Sequence, residues 1–552
     1  LVLGSYYFLT IICVTQSVAK QLPPNVVIFM ADDMGWADVG YHSDHILTPN
    51  IDTLAADGVV LNNFYVQPAC NPSRGALLTG RHPIHFGFQH GVLMPLMATG
   101  LPLHFKLLPQ YLKQYSYATH IVGMFIYKNS KWHLGFMNRE YTPTYRGFDS
   151  HVGYWTNRPF YFNHTNCDPY DRVSCGYDFR HNMDVVTNAS GVYSTHYFTD
   201  RCLHIIDEHN TSEPLFLYMP YQAIHMSADK FPVEAPQQYI DMFAYIESDM
   251  RRGLAAAAYS MDESIGAVVE RLHSRQMLEN SIIIFMSDNG GTTGTHFGIR
   301  VPAFIWSPLL NKSGYVSDAM IHVTDILPTI LDAVHNSTGI LNEQFIYGKS
   351  QWNTLSNNKL PVRTEIIHNI NYFTNTSAIR WYDWKLIQDK TLERSGLWVR
   401  TLGYQNMGLN RESLQSLQSK DRVNSKSYQV LSKMNRRPDY EVLKESVVEC
   451  EPHEPTHPAN NDCTTELCLF NIRDDPCEYH NLIGETDPQF VKFLWQKLIA
   501  FNETSVPPLT LPLMSSIDPR SDPKLYNNTW INWLDRERED MGDSMDMTRS
   551  EL

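Results

Sequence analysis

The sequence lacks an excess of basic charge. Its 44 Lys and Arg residues are outnumbered by 59 Asp and Glu, which gives a net charge of −15. A broad basic face of the kind that binds the nucleic-acid backbone is therefore not expected. An anionic small substrate is compatible with this charge, because a local cluster of cationic groups can attract an anion on an acidic protein.

A long hydrophobic run is absent as well. The apolar stretch Leu1 to Val14 is too short to span a bilayer comfortably and precedes the small-residue pattern Ser17-Val18-Ala19. It predicts a signal peptide over residues 1–19, with an anchored N-terminal helix as the less favoured alternative. No initiating Met precedes it, which suggests N-terminal truncation. No other window is apolar over a sufficient length, so we expect no stable membrane insertion.

Cysteine is sparse, with nine in 552 residues. Setting aside Cys13 and Cys70 leaves an odd number, so one thiol remains over: Cys167, Cys175, Cys202, Cys450, Cys463, Cys468 and Cys477. Cys167 with Cys175, and Cys468 with Cys477, are close enough to pair locally, although spacing alone does not fix the connectivity.

Eight Asn-x-Ser/Thr sequons accompany the signal peptide, at Asn163, Asn188, Asn210, Asn311, Asn336, Asn375, Asn502 and Asn527. Each is weak evidence alone. Together with the signal peptide they predict a glycosylated protein that enters the endoplasmic reticulum and is lysosomal or secreted.

The length exceeds that of one ordinary hydrophobic core. An apolar content of 43% with 19% charged residues is typical of a folded globular protein. We expect a main domain over 20–375, a smaller C-terminal domain over 376–515 and a polar tail over 516–552, in which no core pattern is visible.

Four apolar runs predict buried strands. Residues 25–31 and 281–287 each contain an apolar run that is continuous and not alternating, as in parallel sheets covered on both faces, and 215–219 and 302–306 are further candidates. Helices are predicted between them: a short one from Pro49 that stops at Gly58, an amphipathic one over 250–274, and another over 325–334. This alternation is typical of an α/β fold.

The pattern of the sequence changes after about Asn375. Residues 378–387 and 468–472 predict strands of a separate, smaller sheet, and the polar stretch 403–438 predicts a long excursion between them.

Polar residues follow two of the predicted strands. Asp32 and Asp33 come directly after the first, and Asp288 and Asn289 come after the run 281–287. Ligands bind beyond the carboxyl ends of the strands in open α/β sheets, and Ca²⁺ prefers oxygen ligands. Either pair alone is also typical of a solvated turn.

The run from Cys70 to Arg81, CNPSRGALLTGR, is the most informative stretch. Pro72 suits the first turn of a helix, whose N-terminus is a natural anion site. Arg74 adds a planar, permanently charged fork suited to a tetrahedral oxyanion. The alternative is a low-pKa or disulfide-bonded cysteine at a helix start.

The pattern Cys-x-Pro-Ser-Arg followed by Leu-Thr-Gly-Arg resembles the signature of the type I sulfatases. The resemblance spans about residues 24–482 and is closest to the arylsulfatase B group, the N-acetylgalactosamine-4-sulfatases, on the runs 66–70, 79–81 and 470–476. It implies an alkaline-phosphatase-like α/β sandwich, a mixed sheet flanked by helices, with a smaller C-terminal α+β domain.

The resemblance also implies the chemistry. Cys70 would be oxidised to formylglycine by the formylglycine-generating enzyme, and its hydrate would attack the sulfur of a sulfated glycan or aryl sulfate. One Ca²⁺ would be held by five residues: Asp32, Asp33, Cys70, Asp288 and Asn289.

Four further residues match the catalytic positions of that family. Arg74 and Lys131 would stabilise charge on the sulfate, and His225 would protonate or hold the leaving oxygen. His133 would remove the proton that releases sulfate and restores the aldehyde.

Two departures from the family pattern stand out. Residues 124–130 interrupt the Val-Gly-Lys-Trp-His block, and the chain between Gly291 and Gly298 is short and lacks the family's second catalytic lysine. They leave three explanations open: a weak enzyme, an inactive relative that only binds sulfated glycans, or an error in the gene model. A phosphatase or phosphodiesterase of the same superfold is disfavoured, because those relatives usually carry Ser or Thr where Cys70 stands.

Overall fold

The computed structural model describes most of the chain between residues 22 and 535. The described residues are 22–123, 132, 134–156, 159–168, 174–227, 233–291, 298–335, 346–371, 373–388, 409–448, 463, 467–510 and 517–535. The predicted signal peptide, Lys131 and His133 lie outside them.

The strands form a large mixed sheet, a small antiparallel sheet and a hairpin. In chain order they are β1 (Asn25–Ala31), β2 (Val59–Tyr65), β3 (Ala118–Gly123), β4 (Ser150–Gly153), β5 (Thr165–Cys167), β6 (Cys175–Tyr177), β7 (Arg180–His181), β8 (Asp184–Val185), β9 (Leu215–Pro220), β10 (Ser281–Ser287), β11 (Ala303–Trp306), β12 (Tyr315–His322), β13 (Glu365–Asn371), β14 (Thr376–Trp381), β15 (Trp384–Gln388) and β16 (Cys468–Asn471). The large sheet has the order β12-β2-β11-β10-β1-β9-β3-β4-β7-β8.

The apolar runs form the middle of the large sheet, as predicted. β1 pairs in parallel with β10 on one side and with β9 on the other. Every residue of these three strands is buried. β11, predicted as one more buried strand beside them, runs antiparallel to β10 and makes the sheet mixed.

Helices cover both faces of this sheet. They are α1 (Pro49–Asp57), α2 (Cys70–Thr79), α3 (Leu108–Leu112), α4 (Ser194–Glu208), α5 (Gln237–Met242), α6 (Asp249–Ser274), α7 (Ile326–His335), α8 (Trp352–Asn357), α9 (Arg411–Asn424), α10 (Lys426–Lys433) and α11 (Pro488–Asn502). Val27 and Phe29 face the core shared with α1, α4 and α6. Val26 and Ile28 face the opposite core, shared with α2 and α7.

The small sheet has the order β13-β14-β15-β16. The predicted strand over 378–387 is in fact two, because Tyr382 takes a left-handed conformation (φ 52°) at the turn between β14 and β15. Leu494 and Leu498 of α11 pack on this sheet. The alkaline-phosphatase-like α/β architecture with a smaller C-terminal sheet, expected from the sequence, is confirmed.

Two segments that follow the first strand of the small sheet pack back onto the main body. In the stretch expected as an excursion, α9 and α10 bury Leu414, Val430 and Leu431, and Val430 and Leu431 join the α1–α6 core. The segment 517–535 buries Trp530 and Trp533 against Phe136 and Trp155, although its composition shows no core pattern. The proposed domain boundaries stay a prediction.

Two disulfides are described. Cys167 pairs with Cys175 across the β5–β6 hairpin, which is one of the two local pairings that the spacing allows. The suggested Cys468–Cys477 pair is wrong, because Cys468 bonds to Cys463, at a Cα–Cα distance of 5.3 Å. Cys477 is disulfide-bonded too. Among the described cysteines, Cys70 and Cys202 form no disulfide, and both are buried.

No helix within the described residues is both long enough and apolar enough to span a membrane.

Candidate active site

The two pairs of polar residues emerge side by side from the sheet. Ala31 and Ser287, the last residues of β1 and β10, are register partners. Asp32 and Asp288 follow them and are fully buried. The parallel register therefore brings the predicted metal ligands to one edge of the sheet.

Four acidic or thiol groups meet there. One ligand atom from each of Asp32, Asp33, Cys70 and Asp288 lies within 4.8 Å of the others. The amide nitrogen of Asn289 donates to Oδ1 of Asp33 at 2.6 Å. The five residues predicted as calcium ligands are thus brought together.

The local backbone is shaped for this convergence. Asp33 has φ 57°, a left-handed conformation that a non-glycine residue adopts only when its surroundings enforce it. Its N–H points to Oδ1 of Asp288 at 3.3 Å, and the next N–H, of Met34, donates to the Ser287 hydroxyl at 3.0 Å. The turn after β1 is therefore fastened to the end of β10.

The donor set fits a hard cation. Three buried carboxylates meet one guanidinium, Arg74, so even with His225 protonated the cluster keeps one net negative charge. Oδ1 of Asn289 is buried and has no hydrogen-bond partner in the described structure. Carboxylate and amide oxygens are ligands that Ca²⁺ prefers.

The helix α2 begins at Cys70, two residues before the proline predicted to start it. It ends at Thr79, and the next residue, Gly80, caps it with a φ of 66°, the left-handed conformation that glycine adopts easily. Cys70 and Arg74, four residues apart, share one helix face. The sulfur of Cys70 lies 4.0 Å from Oδ1 of Asp32.

Arg74 links the two strand ends. Its Nη2 lies 2.7 Å from Asp288 and 3.1 Å from Asp32, and its Nε lies 3.0 Å from Asp288. Burial by itself lowers the pKa of the guanidinium, but the negative charges of Asp288 and Asp32 outweigh this, so that the pKa is raised. Arg74 therefore stays positively charged.

Cys70 is 1% exposed. Burial, followed by the charges of Asp288, Asp32 and Asp33, raises the pKa of its thiol well above the usual range. An unmodified thiol here stays protonated, and the thiol is a much weaker nucleophile than the thiolate.

His225 approaches the cluster from the turn after β9. Its Nε2 lies 2.8 Å from Oδ2 of Asp33, and both side chains are buried. The other ring nitrogen, Nδ1, contacts the carbonyl of Met226. The ring is therefore held with Nε2 directed to the site.

Two predicted catalytic residues, Lys131 and His133, lie outside the described residues, as do the insertion 124–130 and residues 292–297 of the shortened loop. Trp132, between the two, is buried. The ends of the shortened loop meet, since Gly290 N–H donates to the Gly298 carbonyl at 2.7 Å.

Sequence reasoning missed Tyr161. Its hydroxyl lies 2.8 Å from the His225 carbonyl and 3.1 Å from the Gln222 carbonyl. Tyr161 stands in an irregular segment far from His225 in sequence, and neither periodicity nor a motif marks it.

Comparison with known proteins places the chain among the sulfatases. The Sulfatase family model matches residues 24–336. Arylsulfatase J of Mus musculus is 34% identical over 549 residues, covering 93% of this chain and 81% of that protein. N-acetylgalactosamine-6-sulfatase of Mus musculus is 30% identical, covering 56% of this chain and 62% of that protein.

A solved structure has the same fold. The structure titled Ps i-CgsB in complex with k-i-k-neocarrahexaose superposes with a TM-score of 0.65 at 22% identity, covering 89% of this chain and 96% of that chain.

Proposed function

We propose that the protein acts on sulfated amino sugars of the glycosaminoglycan type, and that it does so through a formylglycine made from Cys70 beside a calcium ion. The chain belongs to the sulfatase family and is a sulfuric ester hydrolase. The observation that carries the proposal is the convergence of Cys70 with three buried carboxylates within 4.8 Å. The 34% identity to an arylsulfatase over most of its length supports an enzyme rather than a protein that only binds glycans.

Calcium would be held by Asp32, Asp33, Asp288 and Asn289, together with residue 70. It would supply a Lewis acid that stabilises charge on the sulfate oxygens. Formylglycine would supply, as its hydrate, the hydroxyl nucleophile that a protonated thiol does not provide.

The chain's own residues bind the substrate and move protons. Arg74, fixed between two carboxylates, would place its charge beside the sulfate, and Lys131 would add a second cation. Nε2 of His225 would give its proton to the leaving oxygen, and His133 would accept the proton whose loss frees sulfate.

The proposed substrate class rests on the relatives. One curated relative is named for N-acetylgalactosamine 6-sulfate, while the motif resemblance points to the 4-sulfate. Sulfate release from the two monosaccharide sulfates by the secreted protein and by Cys70→Ala tests the proposal. Cys70-dependent release of sulfate from either sugar supports the proposed substrate class. The ratio of the two rates then shows whether the 4-sulfate or the 6-sulfate is preferred. Hydrolysis of an aryl sulfate without hydrolysis of either sugar would contradict it.

We also propose passage through the endoplasmic reticulum, where the formylglycine-generating enzyme would act, and residence in the lysosome or outside the cell. Seven sequon asparagines are described and all are exposed: Asn163, Asn188, Asn210, Asn311, Asn375, Asn502 and Asn527. A fall in mass of the secreted protein on treatment with an N-glycosidase would support this route. An unchanged mass would contradict it.

A further inference from the structure

The turn that carries His225 is attached to the metal-site backbone on one side. The N–H of Asp32 donates to the Ala223 carbonyl at 2.9 Å, and the N–H of Ile224 donates back to the Asp32 carbonyl at 3.0 Å. His225 N–H closes the turn on the Gln222 carbonyl at 3.0 Å. These bonds fix the first half of the turn but leave the carbonyl of His225 to be satisfied elsewhere.

Tyr161 supplies that second attachment. Its hydroxyl hydrogen is shared between the His225 carbonyl, at 2.8 Å, and the Gln222 carbonyl, at 3.1 Å. The side chain is fully buried. Burial above all, with the negative charge of Asp32 among the further causes, raises the pKa of the phenol well above its usual range, so the hydroxyl remains a donor.

Tyr161 is itself held in place at both ends. Its own N–H donates to Oε2 of Glu234 at 2.8 Å, and the Ser227 hydroxyl donates to the same oxygen at 2.9 Å. Its ring stacks on Tyr193 with centroids 5.3 Å apart and planes 10° apart. A rigid ring thus carries a fixed hydroxyl to the backbone of His225.

We propose that Tyr161 is a positioning residue that orients His225 for proton transfer to the leaving oxygen. The inference rests on the proposed function. Proton transfer demands heavy-atom distances of about 2.6–3.2 Å. The Tyr161 hydroxyl holds the His225 carbonyl and adds a second bond to the Gln222 carbonyl, which His225 N–H already contacts. Its removal therefore loosens the peptide unit that follows His225 and with it the direction of the imidazole.

The chain offers a matched control for Tyr161→Phe. Tyr193 is the other half of the stacked pair, is also buried, and its hydroxyl also donates to a backbone carbonyl, that of Glu234 at 3.2 Å. Tyr193→Phe likewise removes a buried phenolic hydroxyl, but this hydroxyl bonds to the Glu234 carbonyl and not to the turn that carries His225. Both variants should lose similar stability, whereas Tyr161→Phe alone should lower kcat, on the order of tenfold, with little change in KM.

The leaving group separates positioning from a general loss of structure. A good leaving group needs little protonation, so 4-nitrophenyl sulfate should be less affected by misplacement of His225 than phenyl sulfate. We expect the ratio of wild-type to Tyr161→Phe kcat to be several-fold larger for phenyl sulfate. For Tyr193→Phe the ratio should be the same for both esters.

The outcomes are distinguishable. Equal loss on both esters, or equal behaviour of the two variants with an active wild-type protein, would overturn the role of Tyr161 and leave the proposed function standing. Wild-type turnover no greater than that of Cys70→Ala would overturn both.

Discussion

At the residue scale, the site depends on charges that are buried together. Arg74 touches two carboxylates that are themselves fully buried, and it shares a helix face with Cys70. A guanidinium makes these contacts as a planar fork, which a lysine ammonium cannot copy. The geometry of Arg74, and not only its charge, is therefore expected to matter for turnover.

Arg74→Lys should lower kcat on the order of 10²-fold, the scale of losing one oriented donor to transition-state charge. Steady-state kinetics on an aryl sulfate measures this. Arg363→Lys is the control, because Arg363 is another buried arginine, paired with Asp325 and not with the carboxylates of the site. It should lower the free energy of unfolding while kcat stays near wild type. A similar kcat loss in both variants would contradict a specific role for Arg74.

His45 illustrates a titrating residue with a structural role. Its Nε2 accepts a hydrogen bond from Arg251 at 3.0 Å and its Nδ1 bonds to Ser43. Burial, helped by the charge of Arg251, lowers its pKa to about 3. Since the unfolded side chain titrates near pH 6.5, only the unfolded state takes up this proton between those values. The neutral buried ring therefore contributes its full share to the free energy of unfolding above the pKa of the unfolded state. This contribution is lost as the pH falls toward the pKa of the folded state.

His45→Gln keeps an acceptor for Arg251 but does not titrate. Between about pH 7 and about pH 5, wild type should lose about 2 kcal/mol more stability than the variant. Urea midpoints of both proteins at the two pH values give this difference. If wild type and His45→Gln lose the same stability between these pH values, His45 is not buried as a neutral ring.

At the element scale, the sequence predicted what periodicity and strand direction decide. β1, β9 and β10 are continuous apolar runs, and their parallel pairing places Asp32 beside Asp288 without any further information. The turn at Tyr382 that divides the predicted strand was not predicted, because a tyrosine in the left-handed conformation leaves no sequence signal. Tyr161 and the Cys463–Cys468 pairing depend on tertiary contacts, which a local pattern does not contain.

The segment 517–535 was not predicted to pack either, since two buried tryptophans, Trp530 and Trp533, are too few to establish a helix or strand period. Trp530→Ala should cost about 3–5 kcal/mol of unfolding free energy, as for a large buried aromatic residue. Leu525→Ala, in the same segment but 63% exposed, should change stability by less than about 0.5 kcal/mol. Denaturant unfolding compares them, and equal effects would mean that the segment does not pack on Phe136 and Trp155.

At the scale of the whole molecule, a metal that binds only the native state should stabilise the entire fold. Arg74 balances only part of the charge of the three carboxylates, which repel one another when no metal ion is bound, so metal-free protein should unfold at a lower temperature. Added calcium at 100 times its Kd should restore about 2.7 kcal/mol.

Thermal unfolding of chelator-treated protein, with and without added calcium, measures this shift. Asp288→Asn should abolish the calcium response. Asp262→Asn, at a buried carboxylate that bonds the start of α1, should keep it. A calcium response that survives Asp288→Asn would place the ion elsewhere.

The central claim is that sulfate hydrolysis depends on the conversion of Cys70. The most direct measurement is specific activity on 4-nitrophenyl sulfate, plotted against the aldehyde fraction at residue 70, which peptide mass spectrometry supplies. Preparations made with and without co-expressed formylglycine-generating enzyme provide the range. We predict a line through the origin, with Cys70→Ala at zero. Activity in protein without the aldehyde, or no activity in fully converted protein, would contradict the account.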